Sequence, residues 1–192
     1  MNDFVQIVII SILVISLYIY YESKYSELEY VKSTVDNHLY LVRNREDKLE
    51  AANMLANIKK KLTKLVNILE MTEGNNENVQ RLVIKFNPRR ISESISSSNT
   101  TSYSINKGEQ IVFCLRSKSN NEKLVKLNTV MFVAIHELAH VMTISVGHTK
   151  EFWDNMKYLL KHAIKHNIYK KQDFQKKPEK YCGITITDSP LD

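Results

Sequence analysis

The first apolar segment of the chain is continuous rather than periodic. Residues 4–21 (FVQIVIISILVISLYIYY) carry no charged side chain. About 18 residues of α-helix extend about 27 Å, enough to cross the hydrocarbon core of a bilayer. A cleaved signal peptide is the alternative, but it requires a basic start and a small-residue cleavage site. This chain starts with Met-Asn-Asp, and the segment ends in tyrosines suited to a headgroup interface, so we predict an uncleaved single-pass transmembrane anchor.

Two features of the sequence predict the compartment of the rest of the chain. Lys24 and Lys32 follow the apolar segment and no basic side chain precedes it, which favours a cytosolic C-terminal domain. The two cysteines, Cys114 and Cys182, lack the C-x-x-C spacing of a zinc ribbon or redox motif. We interpret them as buried free thiols in a reduced compartment, with a single disulfide as the alternative.

Two stretches with helical spacing follow the anchor. Apolar residues recur every three or four positions between residues 24 and 42, at Leu28, Val31, Val35, Leu39 and Val42. This spacing predicts a helical stalk over residues 24–45. A second amphipathic helix is predicted to run to about Met71, before the helix-ending sequence Gly74-Asn75-Asn76.

The middle of the chain has the pattern of β-strands. Residues 81–86, 103–105 and 110–115 are predicted strands, and the last two form a hairpin around Asn106-Lys107-Gly108. The expected sheet is short, three-stranded and mostly antiparallel. Residues 89–102 are rich in Ser, Thr and Asn and are predicted to form a surface loop. If the 110–115 strand lies at the sheet edge, it can bind an extended peptide by strand addition.

Two more helices are predicted after the sheet. Residues 124–145 are too apolar for a surface helix, so this helix is expected at the centre of the fold, with Gly147 as its C-terminal cap. Thr149 is the predicted N-cap of the last helix, which directs Phe152 and Trp153 into the core. The 192 residues, 43% hydrophobic with a formal net charge of +6, suit one modest α+β domain behind the anchor. This mild positive charge is not a nucleic-acid signature.

The central helix carries a candidate metal motif, His136-Glu137-Leu138-Ala139-His140. Histidines four positions apart project from one helix face, so both can bind one metal ion. Glu137 follows the first ligand and can take a proton from a metal-bound water. A structural zinc site fills four positions with protein ligands, whereas a hydrolytic site keeps one for water. The motif therefore predicts a catalytic Zn²⁺ site with one further protein ligand.

The further ligand is predicted to be His148. Gly147 allows a turn that returns the chain over the metal. A carboxylate such as that of Glu151 is the alternative ligand. His162 and His166 lie further along the next helix and are expected to face solvent.

The predicted reaction is hydrolysis of a peptide bond. Zinc lowers the pKa of its bound water, and Glu137 accepts the proton as the water attacks the carbonyl. Glu137 then passes that proton to the leaving amine. The oxyanion needs another donor, for which Tyr181, Tyr103 and the remaining histidines are candidates. For Tyr181 the alternative is a packed, hydrogen-bonded role.

These motifs resemble those of the WLM (Wss1-like) metallopeptidases and their SprT-like relatives. The resemblance covers residues 82–192 and is nearest to the small WLM-like predicted peptidases of large DNA viruses. The matching stretches are HELAHVM (136–142), GHTKEFW (147–153), KGEQIVFCLR (107–116) and YCGITITDSP (181–190). The resemblance implies a compact zincin-like fold, Zn²⁺ held by His136, His140 and His148, and Glu137 as the catalytic base.

The predicted division of the chain is a transmembrane anchor (1–23), a helical stalk (24–45) and a WLM/SprT-type metallopeptidase domain (46–192). The predicted function is a membrane-anchored zinc endopeptidase acting on polypeptides, in a host-cell or virion membrane if the chain is viral. One alternative is a catalytically inactive, zincin-fold structural membrane protein of the virion. Another, implied by the family, is a protease acting on DNA–protein crosslinks, although no specific DNA-binding motif is present. The sequence does not indicate an oligomeric state.

Overall fold

The fold combines helices with short strands. The computed structural model describes residues 3–24, 26–98, 100–118 and 122–192. In these ranges the helices are α1 (Asp3–Lys24), α2 (Lys48–Glu73), α3 (Glu77–Lys85), α4 (Leu127–Met142) and α5 (Lys150–Lys165). The strands are β1 (Leu28–Lys32), β2 (Leu39–Arg43), β3 (Ile91–Glu93), β4 (Tyr103–Ile105), β5 (Gln110–Phe113), β6 (Glu179–Tyr181) and β7 (Ile184–Ile186). The predicted mixture of α and β structure is confirmed.

Helix α1 contains the continuous apolar segment. Its residues 3–22 are all exposed, and the stretch Asp3–Glu22 has a mean hydropathy of 2.3. The 20 residues of this stretch extend about 30 Å as a helix. Helix α1 is therefore long and apolar enough to cross a membrane.

A β-hairpin follows α1 where the sequence predicts a helical stalk. Strands β1 and β2 pair in antiparallel register and pack on α2. Tyr40 and Val42 of β2 are almost completely buried. The helix predicted over residues 24–45 is wrong: the buried positions of β2, Tyr40 and Val42, are two apart, whereas Leu39 of the helical spacing is exposed. Packing on α2 therefore selects the alternation of a half-buried strand.

Helix α3 occupies the region in which the sequence predicts a strand over residues 81–86. The side chain of Asn76 caps it by accepting hydrogen bonds from the N–H groups of Asn78 (2.9 Å) and Val79 (3.4 Å). Val79 and Leu82, three positions apart, are fully buried on one helix face. The strand prediction is wrong because this cap and the contacts with α2 and α4 override a short alternating pattern.

The central sheet has three strands in the order β3-β5-β4. Strand β4 is antiparallel to β5, which confirms the predicted hairpin, but β3 is parallel to β5. The prediction of a mostly antiparallel sheet is therefore wrong. The third strand is β3, which is parallel to β5, and residues 81–86 are not part of the sheet. The edge position considered for residues 110–115 is also wrong, since β5 is central and β4 lies at an edge.

The β4–β5 turn brings this hairpin against two helices. Gly108 in the turn has φ +110°. A Cβ atom there would lie 2.7 Å from the Lys85 carbonyl oxygen and 2.8 Å from Val141 Cγ1. Glycine thus permits both the backbone conformation and the close packing that place β4 beside α4.

Helix α4 lies at the centre of the fold, as predicted. Its buried residues include Val130, Ala134, Ile135, Leu138 and Val141. The helix ends at Met142, and the N–H of its C-cap, Thr143, donates to the Ala139 carbonyl oxygen (3.0 Å). The predicted end at residue 145 is therefore too late, and Gly147 is not the cap.

Helix α5 begins as the sequence predicts. The Thr149 hydroxyl caps it by accepting a hydrogen bond from the Phe152 N–H (3.4 Å). Phe152 is fully buried and packs on the rings of His136 and His140 of α4, but Trp153 is 42% exposed. The core position predicted for Trp153 is wrong, because Trp153 is one residue beyond the buried Phe152 and so its side chain points about 100° away from that of Phe152 around the helix.

Candidate metal centre

Three histidine side chains converge at the C-terminal end of α4. His136 Nε2 lies 3.2 Å from His140 Nε2 and 3.1 Å from His148 Nε2. All three potential ligand atoms lie within 4.8 Å of one another. His136 and His140 are one turn apart on α4, whereas His148 comes from the loop before α5. Gly147, with φ +84°, supplies the turn that directs His148 back towards the helix.

The donor set fits a zinc ion. Tetrahedral zinc with bonds of about 2.0–2.1 Å places neighbouring ligand atoms about 3.3–3.4 Å apart, close to the two short distances in this cluster. Burial and the neighbouring histidines lower the pKa of His136 to about 3 and of His140 to about 4. Both imidazoles are therefore unprotonated at neutral pH, as metal ligands must be.

The loop between α4 and α5 is held from two sides. On one side Lys107 of the β4–β5 turn reaches it, and its ammonium donates to three consecutive carbonyl oxygens, those of Thr143, Ile144 and Ser145. On the other side the Glu151 carboxylate accepts hydrogen bonds from the N–H groups of Ile144 (3.0 Å) and Ser145 (3.2 Å). Glu151, the alternative third ligand, thus holds the loop, and His148 occupies the position beside His136.

Sequence reasoning missed Lys107 as a residue of the site. Its position in a predicted turn marks it as a solvent-exposed lysine, and no local pattern indicates that the turn lies against the end of α4. Only the packing that Gly108 allows brings the ammonium to the loop that carries His148.

Glu137 lies beside the cluster and lines the same cleft. Its side chain is almost completely buried, and burial raises the pKa of its carboxyl to about 7. Within the described ranges, no hydrogen bond ties this carboxyl to another protein group. It is therefore placed to exchange a proton with a bound reactant.

The cluster lies in an open cleft of about 800 Å³. Strand β4, the loop before His148 and the C-terminal β6–β7 hairpin all contribute to its walls. Several wall residues expose apolar side chains, with exposed fractions of 37% for Tyr103, 86% for Val146 and 50% for Ile184. An open, partly apolar cleft of this size can accommodate a ligand as large as a short chain segment.

Tyr181 lies in the cleft wall and is fully buried. Its hydroxyl donates to the Cys114 carbonyl oxygen (2.8 Å) and shares a hydrogen bond with Ser102 Oγ (2.7 Å). Ser102 Oγ in turn accepts from the Cys114 N–H (3.1 Å). The Tyr181 hydroxyl proton is therefore already engaged in a hydrogen bond inside the cleft wall. This is what the alternative prediction, a packed and hydrogen-bonded tyrosine, requires. Its role as an oxyanion donor stays a prediction, as does that of Tyr103.

Two other histidines lie outside the cluster on α5 and its C-cap. His162 Nε2 is 3.3 Å from the Glu73 carboxylate, and both His162 and His166 are partly buried. The prediction that they face solvent therefore holds only in part, and for His162 the reason is its contact with Glu73 at the end of α2.

A match to a protein family spans most of the chain. The profile of the WLM domain matches residues 34–190. The chain belongs to the WLM domain family. The match begins inside the β1–β2 hairpin, so it includes β2 as well as the histidine cluster.

The WLM relatives include proteins of large DNA viruses, which confirms the predicted kinship. Protein R325 of Acanthamoeba polyphaga mimivirus is 34% identical, with 100% of both chains covered. Protein 136R of Invertebrate iridescent virus 6 is 28% identical over 72% of this chain and 79% of its own length. Wss1 of Saccharomyces cerevisiae has a solved structure with a TM-score of 0.49 and 19% identity, covering 66% of this chain and 88% of that chain.

A disulfide links the C-terminal hairpin of this WLM domain to the end of β5. The sulfur atoms of Cys114 and Cys182 are 2.08 Å apart, and the two residues are 68 positions apart in sequence. The predicted pair of free thiols is therefore wrong, and the alternative of a single disulfide holds. Spacing in sequence could not decide this, because the tertiary fold brings the two Cα atoms to 6.2 Å.

Removing this disulfide should destabilise the domain. For the double variant Cys114→Ala/Cys182→Ala we expect the free energy of unfolding to fall by about 2–4 kcal/mol, because a long loop is no longer closed in the unfolded chain. Urea denaturation of the full-length protein in detergent measures the change. A reductant present during unfolding should lower the urea midpoint of the wild-type protein and leave that of the double variant unchanged. If the reductant had the same effect on both proteins, the result would argue against the disulfide.

Proposed function

We propose that this protein is a membrane-anchored, zinc-dependent peptidase with a zincin-like catalytic domain. The observation that carries the proposal is the convergence of three histidine Nε2 atoms beside the buried Glu137, at the floor of an open cleft. Three protein ligands leave one coordination position for water, as in hydrolytic zinc sites. Membership of the WLM family supports the same reaction class.

Each residue of the site has a definite part in this reaction. His136, His140 and His148 would hold a Zn²⁺ ion, which when bound supplies a Lewis acid that polarises a peptide carbonyl and lowers the pKa of water. Glu137 takes a proton from the attacking water and transfers it to the leaving amine. Lys107 and Glu151 keep the His148 loop in place.

The substrate is a polypeptide in extended conformation. Strand β4 lies at an edge of the sheet and beside α4, and its residues Tyr103 and Ser104 line the cleft. The free edge of a strand binds an extended peptide through main-chain hydrogen bonds. We therefore assign to β4 the strand addition that the sequence suggests for residues 110–115.

Helix α1 is the proposed membrane anchor of the domain. The disulfide counts against the predicted cytosolic placement, because disulfides form and persist in oxidising environments. We infer that the domain meets an oxidising environment when it folds. Alkylation of free thiols in intact cells tests this inference: oxidised cysteines support it, and alkylation of both Cys114 and Cys182 contradicts it.

The proposal is tested with the full-length protein in detergent, because Tyr40 and Val42 of the hairpin belong to the core. We expect about one zinc ion per chain, cleavage of an unstructured protein, loss of cleavage with a chelator, and recovery on adding zinc. Bound zinc without any cleavage would favour the inactive structural alternative. Cleavage that requires DNA and weakens steeply with salt would favour the DNA-associated alternative.

A further inference from the structure

A second pocket opens beside the metal cluster. Its volume is about 320 Å³, and its lining includes Phe132, Met156, Pro190 and Trp153. Phe132, His136 and Asp188 line both this pocket and the main cleft. The pocket is therefore continuous with the cleft at the first zinc ligand, where the bond to be cleaved must lie.

The pocket has an apolar floor on a rigid support. Met156 is 1% exposed and Phe132 is 6% exposed. The Phe132 ring packs on the ring of Phe174, with centroids 4.7 Å apart, and Phe174 is fully buried. Because these side chains belong to the close-packed core, the floor keeps its shape when a ligand enters.

Trp153 forms the accessible side of the pocket. Its indole is 42% exposed, and its ring centroid lies 5.6 Å from that of His148 and 6.5 Å from that of His136. A half-exposed aromatic ring beside two ligands offers apolar surface that a substrate side chain can cover. The exposure of Trp153, which the sequence did not predict, thus leaves its indole accessible to a substrate side chain.

We propose that this pocket is the specificity pocket of the peptidase and takes a bulky apolar side chain, such as leucine or phenylalanine, from a residue next to the cleaved bond. The inference rests on the proposed peptidase function. An acidic side chain is disfavoured, because Asp188 lies where pocket and cleft meet and neither a lysine nor an arginine lines the pocket within the described ranges. A lysine side chain would place its ammonium over an apolar floor.

Binding can be measured without turnover, because Trp153 is the single tryptophan of the chain. The full-length Glu137→Gln protein, loaded with zinc, is titrated with two peptides that differ only in leucine or alanine beside the scissile bond. We expect the leucine peptide to shift the Trp153 emission to shorter wavelength and to bind at least about 10-fold more tightly, since an apolar pocket discriminates about 10-fold or more per methylene. Equal binding of the two peptides, or no change in emission with either, would overturn the proposal.

Cleavage of a peptide library by the wild-type protein provides the second test. We expect leucine and phenylalanine to be enriched at one position flanking the cut, by about 10-fold or more over alanine. In Trp153→Ala the ratio of leucine or phenylalanine to alanine at this position should fall towards one. The matched control is Met71→Ala, which replaces an exposed apolar residue on α2 and should retain the enrichment.

The outcomes of these experiments distinguish the proposed peptidase function from the specificity assigned to the pocket. No cleavage by zinc-loaded wild-type protein contradicts the proposed function itself. Cleavage with a flat preference, a preference for lysine or glutamate, or a preference unchanged in Trp153→Ala contradicts the pocket assignment alone.

Discussion

Glu137→Gln should reduce the kcat for peptide cleavage by about 10²–10⁴-fold, the usual contribution of a positioned general base. Glutamine has nearly the same shape as glutamate, so it fits the same buried position, but its amide cannot accept the proton of the attacking water. The substitution leaves the three proposed ligands, His136, His140 and His148, in place. We therefore expect the zinc content to stay at about one ion per chain.

Steady-state kinetics on the full-length protein, with metal analysis of the same sample, measures both quantities. Glu70→Gln is the matched control, because Glu70 is exposed on α2 and far in sequence from the site; it should cleave like the wild type. Full activity in Glu137→Gln with normal zinc would remove Glu137 as the base. Loss of zinc together with activity would assign it a structural role.

His148→Ala should weaken zinc binding by at least about 100-fold. Replacing a residue that only orients a zinc ligand typically costs 10–100-fold in affinity, so the loss of a ligand should reach the upper end or exceed it. The remaining pair, His136 and His140, lies on one helix face and cannot enclose the ion. Competition with a fluorescent chelator measures the dissociation constant.

Glu151→Gln is the informative comparison, because Glu151 is the alternative to His148 as the third ligand predicted from the sequence. Its carboxylate binds the N–H groups of residues 144 and 145, so the substitution should loosen the loop and weaken zinc binding less than His148→Ala. If Glu151→Gln lost the metal and His148→Ala kept it, the ligand assignment would be reversed.

Local patterns were enough where a short segment contains its own geometry. The i, i+4 spacing of His136 and His140 places both imidazoles on one face of any α-helix, whatever surrounds it. The Thr149 cap, the β4–β5 hairpin and the long apolar helix α1 are likewise local, since capping, turn formation and apolar length depend on neighbours within a few positions.

Packing between distant segments decided the remaining features. Residues 24–45 and 81–86 carry apolar spacings compatible with helix or strand, and their burial against α2 and α4 selected the structure that each adopts. Cys114 and Cys182 pair because the β6–β7 hairpin returns to β5, and Lys107 reaches the His148 loop because Gly108 lets a turn approach α4.

The sequence by itself thus determined the part of the candidate site that lies on one helix: a histidine pair with an adjacent carboxylate, which the helical spacing alone brings together. The position of His148 depends on the loop that Lys107 and Glu151 hold. The tertiary structure decided what surrounds that chemistry, namely the edge strand, the disulfide-linked wall and the apolar pocket beside Trp153. The physical reason is that ligand spacing on a helix is set by bonded geometry, whereas a cleft is formed by segments whose mutual positions depend on which of them bury apolar surface together.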